Sequence, residues 1–239
     1  NAYWNGTTVN FFRSGSGCAN TGELPGVSLH EWAHGLDSND GGPAATEHGT
    51  GETYGDWSAS LATHSSCMGG GFTGSNCGGY GNPCTSCTGV RDIDWARHTR
   101  NTASTPANFI YPTCPWDDDQ VGPSDYVGPC GLDHLSRGDM LGEEGHCESL
   151  VSSEALWDLT NRDLTGAGAS RAWTVADRLW YLSRSTASKA FSCNTSVAPY
   201  SSNGCNTGSL FKVFRAIDDD NGNLADGTPH GGAIAAAFN

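Results

Sequence analysis

Apolar and polar positions change period several times along the chain. The opening, NAYWNGTTVNFFRSG, alternates aromatic and β-branched residues with polar ones, which predicts one or two strands. In GVSLHEWAHGL, apolar residues fall at 27, 29, 32, 33 and 36, the spacing of one helix face. ETYGDWSASLATH predicts a second helix. Residues 69–89, GGGFTGSNCGGYGNPCTSCTG, carry no period and read as a loop. Residues 101–142 are rich in Pro and Asp and irregular. From Glu143 helical spacing returns in EEGHCESLVSSEALWDLTNRDL, SRAWTVADRLWYLSRST and SLFKVFRAI. An acidic turn, DDDNGNLADG, precedes TPHGGAIAAAFN, where Thr228 suits an N-cap and Pro229 the first helical position. The pattern predicts an α+β unit, mainly helical, with a small N-terminal strand region. It covers 1–239 in three stretches: strands and first helices to 63, an irregular Cys-, Gly- and Pro-rich region over 64–142, and a helical part over 143–239.

Composition sharpens this picture. Hydrophobic residues make up only 36% and glycine is abundant (33 residues), yet 8 Trp, 8 Phe and 7 Tyr can still fill a core. A formal net charge of −14 with 12 Lys+Arg gives no basic patch for nucleic acid. No apolar run is long enough to span a bilayer, so no membrane partner is expected. Ten cysteines, an even number spread along the chain, predict up to five disulfides and a secreted protein. Cys84 and Cys87 have zinc-knuckle spacing, but no second CxxC completes a four-thiolate site. With no basic-then-apolar signal at its start, the sequence reads as a mature form, and an N-terminal segment or propeptide is expected in the precursor.

The chemistry concentrates at HEWAH, residues 30–34. On a helix, His30 and His34 share a face and can aim two imidazoles at one point. Glu31, one step round, can reach a metal-bound water without ligating the metal. This composition would give His-Glu-x-x-His by chance with a probability on the order of one in a hundred. A catalytic zinc needs a third protein ligand. Glu52 lies eighteen residues after His34, and Asp40 lies six after it, where the metzincin pattern HExxHxxGxxH ends. That pattern needs glycine where this chain has Asp37. Asp56 stands at i+4 from Glu52, placed to accept the second ring N–H of a ligating histidine.

HEWAH followed by Glu52-x-x-x-Asp56 resembles the gluzincin metalloproteases, above all the thermolysin-like and fungalysin-like branches. NAYWNG is similar to their Asn-Ala-[Phe/Tyr]-Trp edge strand, and GHCESLVSSEALWDL is similar to a segment where a histidine opens a helix ending Leu-Trp-[Asp/Asn]-Leu. The resemblance implies a two-lobed gluzincin-type catalytic domain, here with long disulfide-pinned loops. It implies zinc on His30, His34 and Glu52, with Asp56 behind them, Glu31 as general base and His146 as the oxyanion donor. It also implies an edge strand, Asn1, Ala2 and Tyr3, that aligns the substrate. The family's oxyanion tyrosine has no counterpart between His34 and Glu52, which leaves Tyr54 or His146 to serve. Arg91 and Arg137 are candidates for its substrate-gripping arginine.

The expected function is therefore a secreted zinc endopeptidase acting on polypeptides. The alternatives are an exopeptidase or other hydrolase on the same zinc site, or a binding module with structural zinc. Calcium is a second candidate cofactor, with Asp218, Asp220 and Asp226 as oxygen ligands in the acidic turn.

Overall fold

The computed structural model describes residues 2–41, 50–73, 87–94, 145–187, 190, 192–194, 201–203 and 210–238. Helices dominate, and the strands are short. Strands β1 (Ala2–Trp4) and β2 (Val9–Phe11) form an antiparallel hairpin with Tyr3 opposite Asn10. The Asn5 side chain turns it, accepting from the amides of Thr7 and Thr8.

Helix α1 (Pro25–Asp37) starts on a proline, whose missing N–H costs nothing in a first turn. It ends where the Ser38 hydroxyl and Asn39 amide donate to the carbonyls of His34 and Gly35. Helix α2 (Thr50–Thr63) packs along it. Two-residue strands β3 (Cys67–Met68) and β4 (Arg91–Asp92) follow, paired antiparallel with Met68 opposite Arg91. The sequence period gave no sign of this pair, because two residues cannot display an alternation. Helix α3 (Gly145–Asp158) runs into a π turn over Leu159–Asp163, then α4 (Ala169–Ser183) follows. A further strand pair without a sequence signal, β5 (Ser192–Asn194) and β6 (Ser201–Asn203), precedes α5 (Leu210–Asp218) and α6 (Gly231–Phe238).

The last helix begins later than its predicted cap. Thr228 makes a turn through its carbonyl, and Pro229 and His230 lie before the helix. Asp218 fixes this corner: its carboxylate accepts from the His230 amide at 2.6 Å and contacts His230 Nδ1 at 2.7 Å.

The main core joins α2 to the C-terminal helices. Trp57 of α2 meets Phe214 of α5, which meets Phe238 of α6, with Leu156, Leu159 and Leu179 around them. A smaller cluster of Ala59, Met68, Ile93 and Leu150 lies beneath the β3–β4 pair. A third, of Ala2, Leu24 and Val27, seats β1 on α1.

Among the described residues one disulfide closes, Cys67–Cys87, across the feet of the Gly-rich loop. Cys87 is therefore bonded to Cys67 and is not half of a zinc knuckle. Cys18 is a half-buried free thiol, which departs from full pairing of the ten cysteines. The side chains of the other seven lie outside the described residues.

Candidate metal centre

The packing of α1 on α2 builds the site. Gly55 lets the helices approach: a Cβ there would lie 2.6 Å from His30 Cε1 and Nδ1. At this crossing His30, His34 and Glu52 turn inward, with one ligand atom from each within 4.8 Å of the others. His30 Nε2 lies 3.0 Å from His34 Nε2 and 3.1 Å from Glu52 Oε2, and His34 Nε2 lies 3.4 Å from Glu52 Oε1. A tetrahedral ion bonded at zinc distances holds its ligand atoms roughly 3.3 Å apart. The donor set could hold a metal ion at that spacing.

Behind His30 stands a buried network. Its Nδ1 lies 3.0 Å from Asp56 Oδ1. Asp56 is fully buried and also accepts from Arg91, Nε at 2.9 Å and Nη2 at 2.6 Å, and from the Ser153 hydroxyl at 3.4 Å. A carboxylate so held only accepts, so Nδ1 of His30 carries a proton and Nε2 faces the other donors. Burial pushes the Asp56 carboxyl up, but the Arg91 charge and the His30 contact outweigh it and hold its pKa at about 2. Burial likewise opposes charge on His30, yet hydrogen bonds and charges from Asp56 and Glu52 raise its pKa to about 9. For Glu52, burial is overcome by its bonds to His30 and His34, and its carboxyl stays well below the usual range. The centre is built to take positive charge, as a proton or as a metal ion.

Glu31 follows His30 on α1 and is only 7% exposed. Among the described residues nothing donates to its carboxylate. His146, in the first turn of α3, brings Nε2 to 3.3 Å from Glu52 Oε2. The structure thus gathers His30, His34, Glu52, Asp56 and His146 from three helices. Strand β1 lies against the same helix: Trp4 covers Gly35, where a Cβ would sit 3.2 Å from its ring, and Ala2 is buried. Tyr3 is half exposed, and Asn1 lies outside the described residues.

Other candidates are placed elsewhere. Asp40 accepts from Arg184 Nη1 at 3.1 Å and does not join the ligand group. Tyr54 is buried in the main core with its hydroxyl 2.8 Å from Ser183 Oγ. Arg91 reaches the ligand group from behind, through Asp56 and with Nη2 3.5 Å from Glu52 Oε2. Arg137 lies outside the described residues. The acidic turn is closed by its own side chains: Asp226 accepts from the amides of Asn221 and Asn223, while Asp218 holds His230 and Asp220 is exposed. Asp218, Asp220 and Asp226 are not brought together as a ligand set.

Sequence reasoning missed Gly55 and the role of Arg91. A glycine beside Asp56 in a helix, where it costs helix stability, was the available signal for the first. Comparison with protein-family models and with curated proteins returned no match, so the functional reading stands on the sequence and this geometry.

Proposed function

We propose that this protein is a secreted zinc endopeptidase of the gluzincin type, with a two-lobed catalytic domain and loops pinned by disulfides. The observation that carries the reading is the convergence of His30, His34 and Glu52 at zinc spacing, with Asp56 fixing the His30 tautomer from behind. Among the described residues no thiolate joins the set, and two imidazoles with one carboxylate make a three-ligand donor set of the kind that leaves a fourth position for water. When bound, zinc would lower the pKa of that water towards roughly 7 and polarise the scissile carbonyl.

The chain's own residues supply the rest. Glu31, buried and without a hydrogen-bonding partner among the described residues, takes the proton from the attacking water and delivers it to the leaving amine. His146 donates a hydrogen bond to the carbonyl oxygen as negative charge develops there. The substrate adds as an extended strand along β1, beside the metal-binding helix. The Cys67–Cys87 bridge supports an oxidising compartment.

The test is hydrolysis of an end-blocked internal peptide, with zinc content measured alongside. Glu31→Gln should keep stoichiometric zinc and lose on the order of 100-fold or more in kcat. Full activity in that variant would remove Glu31 from the mechanism. Cleavage of free-ended peptides alone would assign the site to an exopeptidase.

A further inference from the structure

We propose that Arg91 is a positioning residue for the metal centre, and that the hairpin closed by the Cys67–Cys87 disulfide holds it there. The inference rests on the metal-centre reading above and extends it to a residue and a cross-link outside the ligand set.

Arg91 is 4% exposed and comes from β4, not from the helices that carry the ligands. Its guanidinium makes a two-point contact with the Asp56 carboxylate, which fixes the plane of that carboxylate and leaves Oδ1 facing His30 Nδ1. The same Nη2 lies 3.5 Å from Glu52 Oε2. One planar fork therefore backs both the ligand carboxylate and the carboxylate that orients a ligand imidazole. An ammonium group has the charge without the fork.

The arm that delivers Arg91 is short. β3 and β4 have two residues each, with the Val90 and Ile93 amides donating to the carbonyls of Met68 and Ser66. A two-stranded pair of this length is marginal by itself. Two features hold it. Gly89 allows a backbone approach to Met68 that a Cβ would block. The disulfide ties Cys67, the residue opposite Asp92, to Cys87, four residues before Arg91. Opening the bridge frees the start of the segment that carries Arg91, so metal retention depends on a cross-link that contacts no ligand. The site would lose metal more readily under reducing conditions.

The experiment measures zinc affinity by chelator competition on the full chain, with the melting temperature of the metal-free protein recorded in parallel. The variants are Arg91→Ala, Arg91→Lys and the double variant Cys67→Ser/Cys87→Ser. Arg91→Ala should weaken zinc binding at least about tenfold, the scale for removing an outer-shell partner. Arg91→Lys should recover part of that loss, and the double serine variant should weaken binding in the same direction. Unchanged zinc affinity in folded Arg91→Ala overturns the proposal, whatever its melting temperature. If Arg91→Ala does not fold, wild-type affinity in Arg91→Lys overturns it. Unchanged affinity in the double serine variant removes the disulfide from the account. Failure of the wild-type protein to bind zinc would overturn the metal-centre reading itself, and is distinguishable because no variant is needed to see it.

Discussion

At position 55 a single methyl group separates two opposed effects. Gly→Ala in a helix interior normally stabilises by roughly 0.5–1 kcal/mol. Here the added Cβ would meet the His30 ring at 2.6–2.9 Å, and the ring must move. It can move only by leaving Asp56 and the ligand group. Gly55→Ala should therefore weaken zinc binding by about ten- to a hundredfold. Wild-type zinc affinity with a raised melting temperature would show that propensity, not the close approach, governs this glycine. The contrast also shows what one residue reveals about itself. His30 with His34, and Glu52 with Asp56, were legible because i, i+4 spacing puts each pair on one helix face. Gly55 was not, since its reason is a ring on another helix. Asp40 stood at a plausible spacing for a ligand, but its partner is Arg184, 144 residues away. No local pattern reports such a pair.

At the scale of elements, long periodic segments were legible and short pairings were not. Helices α1, α2, α3, α4 and α5 lie where apolar spacing put them, and the β1–β2 hairpin follows its alternation. The β3–β4 pair is too short to show a period, and β5 (Ser-Cys-Asn) and β6 (Ser-Ser-Asn) lack the aromatic and β-branched residues that mark β1–β2. Yet β4 carries Arg91, which explains why the back of the metal centre could not be read from the sequence. His146 was singled out only through the resemblance of its segment, and it lies in the first turn of α3 near Glu52. The far end of that helix has its own electrostatic signature. Burial, with the charges of Asp94 and Asp163 adding to it, outweighs Arg162 and raises the Asp158 pKa from 3.8 to about 6. A raised carboxyl pKa means that the folded state holds the proton more tightly than the unfolded chain. Its contribution is full below about pH 4 and is lost as pH rises through about 6. Asp158→Asn keeps the neutral form at every pH. The stability of the variant relative to wild type should thus rise between pH 4 and pH 7, as followed by thermal melts. A difference that stays flat, or falls, would show that the Arg162 ion pair prevails over burial.

At the scale of the whole molecule, the candidate metal centre lies where two parts of the chain meet. The ligands come from the N-terminal helices, while His146 and Ser153 come from the helical part beyond residue 143. The Trp57–Phe214–Phe238 core ties α2 to the C-terminal helices, so the packing that stabilises the fold also fixes where Glu52 and Asp56 point. Arg91 of β4 backs the ligand group through the Asp56 carboxylate.

The most direct test of the account is diffraction from the zinc-loaded protein at the zinc absorption edge. The account predicts one anomalous peak bonded to Nε2 of His30, Nε2 of His34 and the Glu52 carboxylate, with a fourth position open to solvent beside Glu31 and His146. Zinc bound elsewhere, or a shell closed by a fourth protein ligand, would contradict it.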